Sequence, residues 1–309
     1  RLMRAVVFAY HNMGVIGLEA LWRHGIDTTL VLSHHDDPGE QCWFASVAQW
    51  CRAQRIACEC PVDVNRPQLQ SRIAALKPDI LFSFFYRRLL SDALLHVAPL
   101  GGLNLHASLL PAYRGRCPAN WVLVNGEAQT GVTLHHMVAR ADAGDVVGAA
   151  ALPIESDDDI MSLYTKLEEA AEALLDELLP LVVAGRAPRV PQDERAVSTY
   201  GGRRPADGLL DWSRPAHTQY NLVRAVTDPY PGAFSFLDGE RLMVWRAAVD
   251  RGHERLVPGR LEVTGSEVRV GCTDAPLKLM DITWKGQRMS RPGLVRLLAN
   301  YDGAMLTSG

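Results

Sequence analysis

The chain has 309 residues, 48% of them apolar and 22% charged, enough for two domains with substantial cores and an ordinary globular composition. Its 32 basic residues against 35 acidic ones give a net charge of −3, which argues against a nucleic-acid partner, because phosphate recognition needs a basic surplus. No run of eighteen apolar residues occurs, so no membrane-spanning helix is predicted.

The amino terminus, R-L-M-R-A-V-V-F, enters a strand at once and lacks the layout of a signal peptide, so a cytoplasmic location is expected. A buried-type strand over Arg4 to Ala9 and a short helix over Val15 to His24 are joined by Tyr10-His11-Asn12-Met13-Gly14. That is the opening βα unit of a doubly wound sheet. The G-x-G-x-x-G pattern is absent, which argues against a dinucleotide cofactor. His11 and Asn12 are read either as lining the crevice or as part of a solvated loop.

A second strand over Thr28 to Ser33 precedes His34-His35-Asp36-Asp37. Adjacent residues on one loop rarely share an ion without distant partners, so a metal is not expected. Helices are predicted over Val47 to Gln54 and Pro67 to Leu76, with a strand over Arg55 to Cys60 between them. The continuous apolar run Ile80 to Phe85 has the character of a central parallel strand. Six cysteines, Cys42, Cys51, Cys58, Cys60, Cys117 and Cys272, show no zinc or redox spacing and are expected as free thiols.

Gly102 to Ala107 is a short strand interrupted by Asn104 and His106, which, two residues apart, project from the same face. The loop Ser108 to Arg116 follows, then a helix from about Cys117 to Asn125. Paired strands over Thr130 to Val138 and Val146 to Ile154 flank a turn carrying Asp142. An amide, an imidazole and a carboxylate suit acyl transfer, as oxyanion donor, general acid/base and orienting anion. A water-satisfied polar pair on a strand is the plainer alternative.

Beyond this, Ile160, Leu163, Leu167, Leu174, Leu178 and Leu181 fall at helical spacing after the acidic Asp157 to Asp159. Residues 187–206 turn to Pro, Gly, Arg and short polar residues and read as a linker between a first domain, 1–186, and a second, 207–309. In the second, His217 to Val226 is helix-like, and five short segments from Ala233 to Trp284 suggest a small β-barrel.

The run N-x-H-x-S-L-L-P-x-Y-R-G, followed about thirty residues later by A-D-x-G, resembles the signature of the 10-formyltetrahydrofolate-dependent formyltransferases. The segments F-A-Y-H-N-M-G, S-H-H-D-D-P-G-E, W-V-L-V-N-G-E and R-A-V-T-D-P-Y-P-G-A-F are similar to the sugar-nucleotide branch, most of all to the enzymes that formylate UDP-4-amino-4-deoxy-L-arabinose in lipid A modification. The resemblance implies a Rossmann-like, mostly parallel α/β domain followed by an OB-like barrel. It implies 10-formyltetrahydrofolate as co-substrate, a nucleotide-sugar acceptor, and no metal. By the same resemblance Asn104, His106 and Asp142 match the catalytic residues, and Arg88, Leu89, Leu90, Arg116, Val138, Ala139, Arg140, Ala141 and Asp142 match folate-contacting positions. Ala112 departs from the pattern, since relatives commonly carry a basic residue there. A known relative continues into a decarboxylase domain, so a stand-alone enzyme, a domain or partner of that kind, and a homo-oligomer all stay open. Methionyl-tRNA formylation, formylation of a siderophore or peptide amine, and a folate-binding docking subunit are the rival readings. The charge balance speaks against the first, and the complete catalytic set speaks against the last.

Overall fold

A computed structural model describes all 309 residues. The chain forms two compact units, one made of Arg1–Pro118, Gln129–Ile154 and Tyr164–Gly201, the other of Ala119–Ala128, Glu155–Leu163 and Gly202–Gly309.

In chain order the elements up to the first unit's end are β1 (Arg4–Ala9), α1 (His11–Arg23), β2 (Asp27–Leu32), α2 (Val47–Gln54), β3 (Cys58–Glu59), α3 (Pro67–Ala75), β4 (Ile80–Phe84), α4 (Asp92–Leu95), β5 (Gly102–His106), β6 (Arg114–Gly115), α5 (Pro118–Val124), β7 (Gln129–His136), β8 (Val146–Pro153), α6 (Ile160–Val183) and β9 (Thr199–Tyr200). Seven strands make one sheet in the order β3-β2-β1-β4-β5-β7-β8. The pairings from β3 through β5 are parallel, whereas β7 and β8 join antiparallel. Val6, Phe8, Phe82 and Phe84 are fully buried, as expected of central parallel strands covered on both faces. The strand order reverses between β1 and β4, so their carboxyl ends flank the crevice where open α/β sheets take ligands.

Two local expectations are corrected. The segment Tyr10 to Gly14 is not a loop, because α1 begins at His11. His11 adopts φ 68°, which turns the chain from strand to helix in one residue, and the Gly14 amide already donates to the Tyr10 carbonyl. The strand predicted over Arg55 to Cys60 contracts to Cys58–Glu59. Arg55 takes a left-handed conformation to end α2, and the Ile56 amide returns to the Cys51 carbonyl, so those residues serve as a helix cap.

The second unit contains α7 (Ala216–Val226), β10 (Ala233–Leu237), β11 (Glu240–Val249), β12 (Leu261–Val263), β13 (Val268–Val270), β14 (Leu277–Trp284), β15 (Gln287–Ser290) and α8 (Gly293–Leu298). The antiparallel order is β10-β11-β14-β13-β12, with β15 added to the second half of β14. Asp238 and Gly239, both at positive φ, make the two-residue turn between β10 and β11. The carboxyl-terminal segment bridges Thr307 to Phe236 on β10 and Met305 to Arg260 just before β12, which curls the sheet towards a barrel. Strand β15 was not foreseen, because Gln287-Arg288-Met289-Ser290 is a polar edge strand without apolar alternation. No helix is long and apolar enough to cross a membrane.

Candidate active site

Strand β5 is where the sheet changes from parallel to antiparallel, with β4 on one side and β7 on the other. Asn104 and His106 share a face through the pleat, and the β7 register puts His135 directly opposite Asn104, so His135 joins that face. Asn104 Nδ2 lies 3.0 Å from His135 Nε2, and His135 Nδ1 lies 2.9 Å from the His136 carbonyl oxygen. A carbonyl can only accept, so the proton of neutral His135 sits on Nδ1 and its Nε2 accepts from the Asn104 amide. The second hydrogen of that amide has no protein partner.

The same logic sets the tautomer of His106. Its Nε2 donates to the Tyr113 carbonyl oxygen at 2.8 Å, leaving Nδ1 turned to Asp142 Oδ1 at 3.5 Å. Asp142 Oδ1 is also 3.6 Å from His135 Nε2, and Oδ2 accepts from the Gly115 amide at 2.9 Å. His106 is 7% exposed. Burial lowers its pKa below the ordinary histidine value, opposed by the Asp142 charge and the bond to Tyr113 and reinforced by His135. For Asp142 burial acts upward, but His106, His135 and the Gly115 N–H together outweigh it and hold the carboxyl at about 2. At neutral pH the site therefore contains an uncharged imidazole beside a fixed carboxylate.

Backbone conformation brings these groups together. Asp142 sits at φ 54°, a left-handed conformation that Asp tolerates better than most residues, in the hairpin loop between β7 and β8. Gly144 in that loop cannot carry a side chain, since a Cβ would lie 1.7 Å from the His136 carbonyl oxygen. Gly115, at φ 101°, is similarly constrained, with the Tyr200 carbonyl oxygen 2.2 Å from where its Cβ would be. The 108–113 loop is pinned by Thr133 Oγ1, which donates to the Ser108 carbonyl, and by Ser198 Oγ, which accepts from the Tyr113 amide. The Tyr113 ring stacks on Tyr200 at 4.7 Å.

Two family models match this chain, one described as formyl transferase over residues 6–179 and one as formyl transferase, C-terminal domain, over residues 203–293. The first alone covers more than half of the chain and includes every residue of the cluster. The chain belongs to the formyl transferase family. Among solved structures it is similar to the N-formyltransferase from Helicobacter canadensis, in complex with folinic acid and dTDP-3-aminofucose, at 16% identity and a TM-score of 0.71, over 90% of this chain and 99% of that one. It is similar to WlaRD, a sugar 3N-formyl transferase seen with dTDP and 5-N-formyl-THF, at 15% identity and a TM-score of 0.71, over 93% and 99%. HypX from Aquifex aeolicus, in complex with tetrahydrofolic acid, matches at 18% identity and a TM-score of 0.61 over 97% of this chain and 48% of that one. At these identities the likeness is one of fold.

Within this formyltransferase the residues singled out in the sequence fall into two groups. Asn104, His106 and Asp142 are gathered as described. Of the others, Arg88, Leu89, Arg116, Val138, Ala139 and Arg140 are exposed, Ala141 is half-buried, and Arg140 reaches Glu194 at 3.2 Å. Leu90, only 8% exposed, packs in the core with Leu94 and Leu95, so only its backbone is free to meet a ligand. A cavity of about 160 Å³ adjoins the Asp142 loop, lined by Gly102, Met137, Val138, Gly144 and Arg189 among others, yet it contains none of the cluster's side chains. It is smaller than the ~300–1,000 Å³ usual for cofactor-sized ligands.

His135, the Tyr113 carbonyl and the Gly115 amide were not singled out beforehand. Only His135 left a signal, in the His135-His136 pair that closes β7. His34 accepts from the Arg87 amide at 3.0 Å and stacks on Tyr86 at 4.1 Å; no group of three or more His, Cys, Asp or Glu side chains is arranged to hold a metal. His11 is buried, stacked on Phe44 with Trp43 and Tyr164 around it, and burial together with Arg87 lowers its pKa to about 3.

Proposed function

We propose that this formyltransferase moves the formyl group of 10-formyltetrahydrofolate to the amino group of a nucleotide-linked sugar, UDP-4-amino-4-deoxy-L-arabinose being the substrate its sequence segments favour. The observation that carries the chemistry is the contact of His106 Nδ1 with Asp142 beside the half-satisfied Asn104 amide. The sugar amine attacks the formyl carbon, a tetrahedral oxyanion forms, and the bond from that carbon to the folate N10 breaks. His106 Nδ1 takes the proton the amine loses and returns it to N10, so no proton is left over. Asn104 donates to the oxyanion, and Asp142 stabilises the imidazolium.

For the co-substrate, the exposed Arg88, Leu89, Arg116 and Val138 to Arg140, together with the backbone at Leu90, Ala141 and Asp142, are the candidate contacts. Two sugar-acting relatives of similar fold are seen with folate compounds and dTDP or a dTDP-sugar, which supports this substrate class. The net charge of −3 disfavours transfer RNA. A panel of UDP- and dTDP-linked amino sugars plus methionyl-tRNA, each assayed with 10-formyltetrahydrofolate, tests the assignment. Turnover of UDP-4-amino-4-deoxy-L-arabinose above the other sugars is the expected result; formylation of the tRNA with no turnover of any sugar would overturn it.

A pH profile tests Asp142 separately. The attacking step needs neutral His106, so activity rises with pH through the histidine pKa. Asp142 raises that pKa, and Asp142→Asn therefore lowers it further and moves the acidic limb to lower pH. Maximal turnover should also fall, since the imidazolium loses its counter-charge. Full activity with an unmoved limb would leave Asp142 as a turn residue only.

A further inference from the structure

Residues 190–200 are bonded along the first unit. Val190 bridges Val146, Ser198 accepts from Tyr113, and Thr199–Tyr200 forms β9 against β6. In the middle lies Gln192. Its Nε2 donates to two carbonyls of the hairpin loop, those of Asp142 and Gly144, both at 2.7 Å. Its Oε1 accepts from Arg114 Nε at 3.1 Å and Nη2 at 2.8 Å. Arg114 is 2% exposed and stands between Tyr113, whose carbonyl holds His106, and Gly115, whose amide holds Asp142.

We propose that Gln192 is a positioning residue for formyl transfer, a clamp whose amide ties the Asp142 loop to the Tyr113–Gly115 loop and so sets the distance between Asp142 and His106. The proposal rests on the roles given to those two residues above. The reason for an amide at this place is its two-sidedness. Two backbone carbonyls need donors, a guanidinium needs an acceptor, and one Gln side chain meets both demands. Asp142 occupies a left-handed conformation whose cost must be met by such surrounding bonds. Loss of the clamp would let the loop relax, and a displacement of about 1 Å at a reacting group can cost roughly 100-fold in rate. The titratable group facing the pair is His135 on β7, 3.6 Å from Asp142; Arg114 on β6 binds the Gln192 amide and pairs with Glu194, which also meets Arg140.

Two variants test this, Gln192→Met and Gln192→Glu. The first keeps the volume and removes every hydrogen bond, and it also strips a partner from the buried Arg114. The second keeps an acceptor for Arg114 but replaces the donors with an oxygen facing two carbonyls, so it isolates the clamp even if the first does not fold. Both are measured for kcat, KM for the formyl donor and pH profile, beside His106→Ala. The expected result is a kcat about 100-fold lower, a KM within a few-fold of the parent, and an acidic limb moved to lower pH as Asp142 draws away from His106. A folded Gln192→Glu with an unmoved limb would overturn the proposal, whether its kcat is normal or reduced, provided His106→Ala is inactive. An active His106→Ala would instead bring down the reading of the site on which the clamp depends.

Discussion

His106→Ala is expected to lower turnover roughly 100- to 10,000-fold, the range in which a positioned general acid/base contributes, while the formyl donor still binds. The separation follows from the geometry. His106 Nε2 is used up on the Tyr113 carbonyl, so only Nδ1, 3.5 Å from Asp142, is left to exchange a proton with the reactants, and the buried ring offers little surface for holding the folate. Removing the ring also takes away the largest of the influences that lower the Asp142 pKa, although the Gly115 amide and His135 remain. The carboxyl pKa, now about 2, should rise towards the ordinary aspartate value. That depression contributes stability that is present above pH ~4 and is lost as pH falls towards 2, so the variant should lose some stability at assay pH and differ least from the parent near pH 2. Turnover and folate affinity measured on the same preparation decide the matter; equal losses in both would make His106 a binding residue.

Asn104→Ala is expected to reduce kcat about 100- to 1,000-fold, corresponding to the ~2.7–4 kcal/mol that one oxyanion donor supplies. The structural component of that loss is smaller. The substitution also breaks the bond to His135 Nε2, and a neutral hydrogen bond is worth only about 0.5–1.5 kcal/mol net. A fall beyond roughly tenfold in kcat, with KM and melting temperature nearly unchanged, thus reports stabilisation made only in the transition state. If the melting temperature drops and kcat does not, the amide is a strap between β5 and β7.

Much of the first unit follows from local pattern. The apolar run Ala5–Ala9 within β1 and the strand Ile80–Phe84 are buried on both faces, and periodicity alone locates α6. Asn104 and His106 share a face because the strand period is two, a fact that needs no tertiary information. Asp142 stands out as a carboxylate in the turn between two paired strands, and the family signature matches it to the catalytic set. What remained hidden has a common physical cause. His135 enters the cluster through antiparallel register with β5, a pairing between residues about thirty apart in sequence. The Tyr113 carbonyl and the Gly115 amide are backbone groups, which every residue but proline supplies alike, so no side chain announces them. Gln192 lies in a turn-rich stretch whose composition resembles a tether, because its value is in two hydrogen bonds to main-chain carbonyls and not in any periodic apolar face. Composition and periodicity report which side chains are buried and on which face. The tautomers and charge states of this site depend on which backbone atoms the loops bring within three ångströms, and only the folded chain decides that.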